Sequence, residues 1–166
     1  MKVIKNFLPQ NYFDDLKKLI LFPDFTWYKR EGMTPNSNID LGYFTHSFYT
    51  RFQATSNMYT KFIIPILDQL NASSVIDVRA NMFPSVFYKK QKAEFHVDCT
   101  FKNFKTAILY INNCDGGTEL FINKKVKFTK AEENKILIFD GDVPHRGTVS
   151  KKTDFRYIIN FNYYEK

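Results

Sequence analysis

From Val75 onward the chain is a succession of short apolar runs cut by turn residues, and this texture constrains its fold more than any other feature. The runs are Val75 to Phe83, Val86 to Lys89, Phe104 to Asn112, Thr118 to Ile122, Lys125 to Phe128, Ile136 to Phe139 and Phe155 to Tyr163. Asn112, Asn113, Gly116, Gly117, Gly141 and Pro144 separate them. Runs of this length, rich in β-branched and aromatic residues and bounded by Asn, Gly and Pro, read as strands. No helical pattern intervenes, so the strands are expected to form a sandwich or barrel rather than a parallel sheet with crossover helices. Aromatic content supports this reading. The chain has 18 Phe and 10 Tyr, large flat side chains that favour strands and fill the space between two facing sheets.

The first 70 residues have a mixed texture. Asn11 is a candidate cap for a helix in which Phe13, Leu16, Leu19 and Ile20 share a face, with Asp14 and Asp15 in its first turn. Phe25 to Arg30 reads as a strand and Met33 to Asn38 as a loop. A second helix is expected from about Ala54 to Leu70, burying Met58, Tyr59, Phe62, Ile63, Ile66 and Leu67, with a kink at Pro65. There is no internal repeat, linker or low-complexity stretch. With 166 residues, the expectation is one domain, 1–166, with a helical or mixed part over 1–74 and a β core over 75–163.

The two cysteines, Cys99 and Cys114, exclude a disulfide scaffold and suit a reducing compartment. Met1 to Phe7 shows no signal-peptide pattern, and no apolar run approaches about 18 residues. These features give a cytoplasmic expectation with no membrane contact. The net charge is +7, with lysines around Lys89, Lys90, Lys92 and from Lys124 to Lys130. Such an excess suits an acidic partner, nucleic acid included, or simply a solvated lysine-rich surface, and the latter is the ordinary case.

Three pieces of sequence carry chemistry. In Phe95-His96-Val97-Asp98, residues two apart on a strand point the same way, so His96 and Asp98 can offer an imidazole and a carboxylate to one metal. A lone pair of this kind also occurs as a surface ion pair. His145, in Asp140-Gly141-Asp142-Val143-Pro144-His145, follows a strand and a tight turn. It is the third, distant ligand that a two-histidine, one-carboxylate facial triad requires, an arrangement diagnostic of non-haem Fe(II) oxygenases. Asp140 and Asp142 read as turn residues. Cys99 would point away from Asp98, and His46 reads as a loop histidine. The third piece is Arg156, inside the apolar run Phe155 to Tyr163. An Arg there is costly unless it meets an anion, which its planar fork grips with two hydrogen bonds. The alternative is a solvent-facing Arg paired with Asp154 or Glu165.

The order His96-x-Asp98, His145, Arg156 resembles the 2-oxoglutarate/Fe(II)-dependent dioxygenase superfamily, and most of all its prolyl-4-hydroxylase-like branch. The resemblance covers residues 75 to 163. It extends to Thr106-Ala107-Ile108-Leu109-Tyr110-Ile111-Asn112, to Gly116-Gly117-Thr118-Glu119-Leu120 and to Ile136-Leu137-Ile138-Phe139. It implies a mainly β fold with flanking helices, a double-stranded β-helix or jelly roll. It also implies Fe(II) on His96, Asp98 and His145, with 2-oxoglutarate and O2 as cosubstrates consumed as a substrate is hydroxylated. By position, Arg156 resembles the arginine that binds the distal carboxylate of 2-oxoglutarate, and Tyr110 the tyrosine beside it. Thr106 and Asn160 fall at pocket-lining positions, and Tyr88 at a further cosubstrate position. Asn162 departs from the pattern, standing where the prolyl hydroxylases tend to have a large aromatic. Val86 to Lys92 also lacks their Gly-rich turn. The implied substrate is a prolyl or other side chain of a peptide or protein. The alternative function is a non-catalytic jelly-roll binding module for a polyanion or sugar.

Overall fold

The computed structural model describes residues 1–30, 42–85, 93–148 and 150–166. Strands β1 (Lys2–Ile4), β2 (Tyr28–Arg30), β3 (Tyr43–Thr50), β4 (Gln53–Ala54), β5 (Ala72–Pro84), β6 (Lys105–Tyr110), β9 (Lys135–Asp140) and β11 (Phe155–Glu165) build a major sheet. Its order is β1-β9-β6-β11-β5-β3-β2, with β4 on β3. A minor sheet, β10-β7-β8, holds β7 (Gly117–Ile122), β8 (Lys125–Lys130) and β10 (His145–Thr148). All of these pairings are antiparallel. The architecture is a jelly roll.

Strand alternation sorts the major sheet's side chains into two cores. Val78, Ala80, Ala107, Leu109, Ile159, Phe161 and Tyr163 face outward, against helix α1 (Gln10–Leu21) and helix α2 (Ile64–Gln69). Phe83, Ile108, Tyr110, Leu137, Phe139 and Ile158 face inward, meeting Leu120 of the minor sheet. Burying a side chain of this size contributes about 1.5–3 kcal/mol, so the helices serve as the lid of the outer core while the inner face is left to shape a site.

The sequence-based boundaries hold for β5 to β9 and β11 to within a few residues. Elsewhere the structure corrects them. Pro9, not Asn11, precedes α1, and Asn11, Asp14 and Asp15 lie within the helix. Of the expected face, Phe13, Leu16 and Ile20 are buried. Only Tyr28–Arg30 of the run Phe25 to Arg30 is strand. The helix expected from Ala54 begins later. Thr55 N–H bonds Phe48 O at 2.9 Å in the β3–β4 hairpin, whose turn residues Arg51 and Phe52 have φ of 52° and 62°. A π-helical segment, Tyr59–Ile63, then leads into α2. Pro65 stands in the first turn of α2, where its missing N–H costs no helical bond, so it marks a start and not a kink.

The part before residue 75 also supplies strands β1–β4 to the major sheet, of which the sequence pointed to β2 while its mixed texture concealed the rest. In β3, Thr45 and Ser47 alternate with His46 and Phe48, so polar residues face the interior and mask the apolar period. The run Val86 to Lys89 and the loop Met33 to Asn38 lie outside the described residues.

Candidate active site

His96 and Asp98 are not on a continuous strand: His96 forms an isolated antiparallel bridge with His145, and Asp98 sits in a bend. The bridge is reciprocal, with His96 N–H to His145 O at 3.0 Å and His145 N–H to His96 O at 2.9 Å. It sets the two imidazoles side by side, ring centroids 4.8 Å apart. Each Nδ1 faces the carbonyl two residues back, Glu94 O at 3.2 Å from His96 and Val143 O at 3.3 Å from His145. In a neutral ring, donation from Nδ1 to such a carbonyl leaves Nε2 with a lone pair for a metal. Asp98 Oδ1 lies 3.8 Å from His96 Nε2 and 3.5 Å from His145 Nε2.

Asp98 is nearly enclosed. Burial alone would raise its carboxyl pKa, but His145, the Asn160 amide and His96 outweigh burial and hold it well below the usual carboxylate range. Asn160 Nδ2 donates to Oδ2 at 2.9 Å, turning Oδ1 toward the histidines. Burial, reinforced by His145, lowers the His96 pKa. One candidate ligand atom from each of the three side chains therefore lies within 4.8 Å of the others. Such a cluster offers a cation three donor atoms at once. The donor set of two imidazoles and one carboxylate fits a divalent transition metal with open positions.

These three residues line a cavity of about 200 Å³ between the sheets, together with Tyr43, Arg79, Asn81, Phe83, Thr118, Arg156 and Asn160. Arg156 is 1% exposed, on the inner face of β11 rather than the solvent face. Its Nη1 donates to Gly117 O at 2.9 Å, and its guanidinium lies 4.5 Å from the Phe83 ring centre. The approach is close because Gly147 lacks a Cβ: one built there would collide with Arg156 Nη2. Tyr110 donates to Thr118 Oγ1 at 2.9 Å and reaches the cavity through that residue. Burial, partly offset by Thr118 and Arg156, pushes its phenol up to about 12. It is therefore a donor at neutral pH.

The other expected residues are placed as follows. Arg156, Ile158 and Asn160 share the inward face of β11 and line the cavity, while Asn162 shares that face but bonds Thr106. Thr106, expected to line the pocket, is fully buried with its hydroxyl on Asn162 Oδ1 at 2.8 Å and lies outside the lining. Tyr88 lies outside the described residues. Asp140 pairs with Lys105 at 2.6 Å and Asp142 belongs to the turn, so neither joins the cluster. His46 is not a loop residue. It lies on β3, 8% exposed, bonded to Thr26 O and Ser56 Oγ at 2.9 and 3.0 Å.

Sequence reasoning missed Arg79, Asn81, Tyr43 and Thr118 on the cavity wall. A signal was available for two of them. Asp77, Arg79 and Asn81 alternate with Val78 and Ala80, a polar stripe along one face of an otherwise apolar strand.

No protein-family model matches the chain, and no curated protein matches it. Solved structures do match in fold. A prolyl-4-hydroxylase from Pseudomonas putida aligns over 99% of this chain and 92% of its own, with a TM-score of 0.70 and 12% identity. A 2OG-Fe(II) oxygenase family oxidoreductase from Burkholderia pseudomallei aligns over 98% and 84%, with a TM-score of 0.74 and 8% identity. A prolyl hydroxylase from Trichoplax adhaerens, solved with a hypoxia-inducible-factor peptide, aligns over 99% and 83%, with a TM-score of 0.67 and 15% identity. At these identities the likeness is one of fold.

Proposed function

We propose that this chain, which has the jelly-roll fold of the 2OG-Fe(II) oxygenases, is an Fe(II)- and 2-oxoglutarate-dependent oxygenase working as one catalytic domain over residues 1–166. The observation that carries the reading is the meeting of His96, Asp98 and His145 in a cavity whose wall also holds the buried Arg156. Fe(II) would supply the activation of O2 that couples decarboxylation of 2-oxoglutarate to substrate oxidation.

The chain's own groups then have defined tasks. His96, Asp98 and His145 hold the ion, their imidazoles oriented by Glu94 O and Val143 O. Asn160 fixes the Asp98 carboxylate by donating to Oδ2. Arg156, its Nη1 set by Gly117 O, grips the distal carboxylate of 2-oxoglutarate. Thr118 joins it, with the Tyr110 hydroxyl behind. Phe83 and Ile158 keep water from the carbon chain between the two ends. A buried guanidinium facing a carboxylate forms a charge-assisted, two-pronged contact that water cannot match. For the substrate we take a prolyl or other side chain of a peptide or protein, in line with the prolyl-hydroxylase-like frame, and hydroxylation as the outcome.

Anaerobic titration with Fe(II) and 2-oxoglutarate tests the reading. A weak visible charge-transfer band should appear only with both present, and admitting O2 should then yield succinate. A chain that binds no Fe(II), or gives no band with 2-oxoglutarate, is not this enzyme. Polyanion binding that fades with salt would then favour the non-catalytic module.

A further inference from the structure

The cavity holds a second guanidinium that the metal and cosubstrate do not use. Arg79 stands on β5 opposite Asn160, whereas Arg156 stands on β11 opposite Phe83. Four residues therefore separate the two positions along the strand pair, about 13 Å. Level with Arg156, Tyr43 stacks on Phe83 with ring centroids 5.4 Å apart, whereas Ile158 and Asn81 stand between the two arginine positions. Arg79 is on the Asn160 side, and Asn160 is the residue bonded to Asp98. Arg79 thus borders the metal ligands at the end of the cavity opposite the Arg156 clamp.

Arg79 is anchored but not consumed. Its Nε bonds Asp77 Oδ2, and the pair is largely withdrawn from water, with side chains 32% and 14% exposed. Only the Nε edge is engaged among the described contacts, which leaves the Nη groups as donors on a side chain that lines the cavity. An ion pair placed on the inner wall of a sheet costs desolvation that a surface pair avoids, a poor choice for stability alone. Beside it, Asn81 is 8% exposed and lines the cavity, and its Oδ1 has no hydrogen-bond partner among the described residues. Asn160 Oδ1 is likewise buried and unpaired. A buried acceptor of this kind is costly unless a ligand completes it.

We infer that Arg79, held by Asp77, binds an anionic group of the primary substrate, a carboxylate or phosphate, next to the metal, with Asn81 accepting an N–H or O–H from the same molecule. The inference rests on the oxygenase reading for its meaning, but the anion site itself does not depend on that reading. An acidic peptide and a small organic acid would present the same group. In both cases the Asp77 carboxylate limits affinity by partly neutralising the guanidinium, which suits a substrate that must leave after reaction.

The test uses the whole chain loaded with Zn(II), which is diamagnetic and supports no turnover, and saturated with 2-oxoglutarate. The Arg79 Nε–Hε signal is followed by NMR while inorganic phosphate or acetate is added in separate arms. A saturable shift is expected in at least one arm, and the stronger arm identifies phosphate or carboxylate as the group recognised. Arg79→Gln should weaken anion binding by at least about fivefold, since a charge-assisted contact is lost. Asp77→Asn should tighten it severalfold, a gain that misfolding cannot mimic. Arg156→Gln should weaken 2-oxoglutarate binding well beyond tenfold while leaving the Arg79 response in place. An Arg79 signal that stays still in both arms, or equal binding by wild type and Arg79→Gln, overturns the inference. Failure to bind Zn(II) or 2-oxoglutarate would instead sink the oxygenase reading, and the anion titration of the metal-free chain would still report on Arg79.

Discussion

His96 and His145, 49 positions apart in sequence, exchange both of their backbone hydrogen bonds, at 3.0 and 2.9 Å. This single rung joins the segment carrying Asp98 to the first residue of β10. It positions two imidazoles through main chain alone, so a side-chain substitution at either histidine leaves the rung in place.

Metal removal and Asp98 substitution should consequently act on binding more than on folding. Wild type should be stabilised by a divalent ion, by about 2.7 kcal/mol at a free concentration one hundred times Kd. Asp98→Asn should lose most of that increment while melting near the metal-free wild type. Thermal melts with Mn(II) and with chelator read both quantities, and an unchanged metal-induced shift in Asp98→Asn would remove Asp98 from the ligand set.

Arg156→Ala should raise the 2-oxoglutarate requirement well beyond tenfold, since losing one partner of a buried charge pair costs about 2–5 kcal/mol. Metal binding should survive. Arg156→Lys should rescue only in part, because an ammonium cannot form the fork. Succinate formation against 2-oxoglutarate concentration is the measurement, and a wild-type curve for Arg156→Ala would exclude the clamp.

Gly147→Ala gives a subtler version of the same test. Its Cβ would meet Arg156 Nη2, the far end of a flexible side chain, so the fold should tolerate it while the guanidinium moves. The expected outcome is weaker 2-oxoglutarate binding with little loss of stability. By contrast Gly141→Ala drives a Cβ into the Phe104 ring, and overpacking of that kind costs about 1–3 kcal/mol. Denaturation and 2-oxoglutarate titration of both variants should separate them; two equally destabilised proteins would contradict the distinction.

His46 supplies a pH dependence away from the metal. Burial, opposed by its bond to Thr26 O, lowers its pKa below the ordinary 6.5. The unfolded chain therefore takes up the proton first as pH falls. His46 should add nothing to the pH slope well above 6.5 and should make the fold less stable as pH drops below that value toward the folded pKa. Urea unfolding of wild type and His46→Gln at pH 7.5 and 5.5 reads the difference, in which other titrating groups cancel. Equal losses in the two proteins would show that His46 does not carry the effect.

Much of this protein is determined by local pattern and was legible without the structure. The period-two runs from Val75 onward specify strands, because alternation of faces is a property of each strand by itself. The spacing of His96 and Asp98 brings both side chains to one side, even though their segment is a bridge and bend, not a strand. The alternation along Phe155 to Tyr163 placed Arg156 with Ile158 and Asn160. What alternation cannot state is which face turns inward or what lies opposite, since that depends on pairings between residues distant in sequence. Only closure of the two sheets decided that Asn160 bonds Asp98 and that Thr118 stands between Tyr110 and the cavity, while strand pairing within the major sheet set Thr106 against Asn162. Long-range pairing within the major sheet likewise brought β3 beside β5. Its inward Thr45 and Ser47 had hidden it, because a strand bordering a polar cavity lacks the apolar stripe that a strand bordering a core must show.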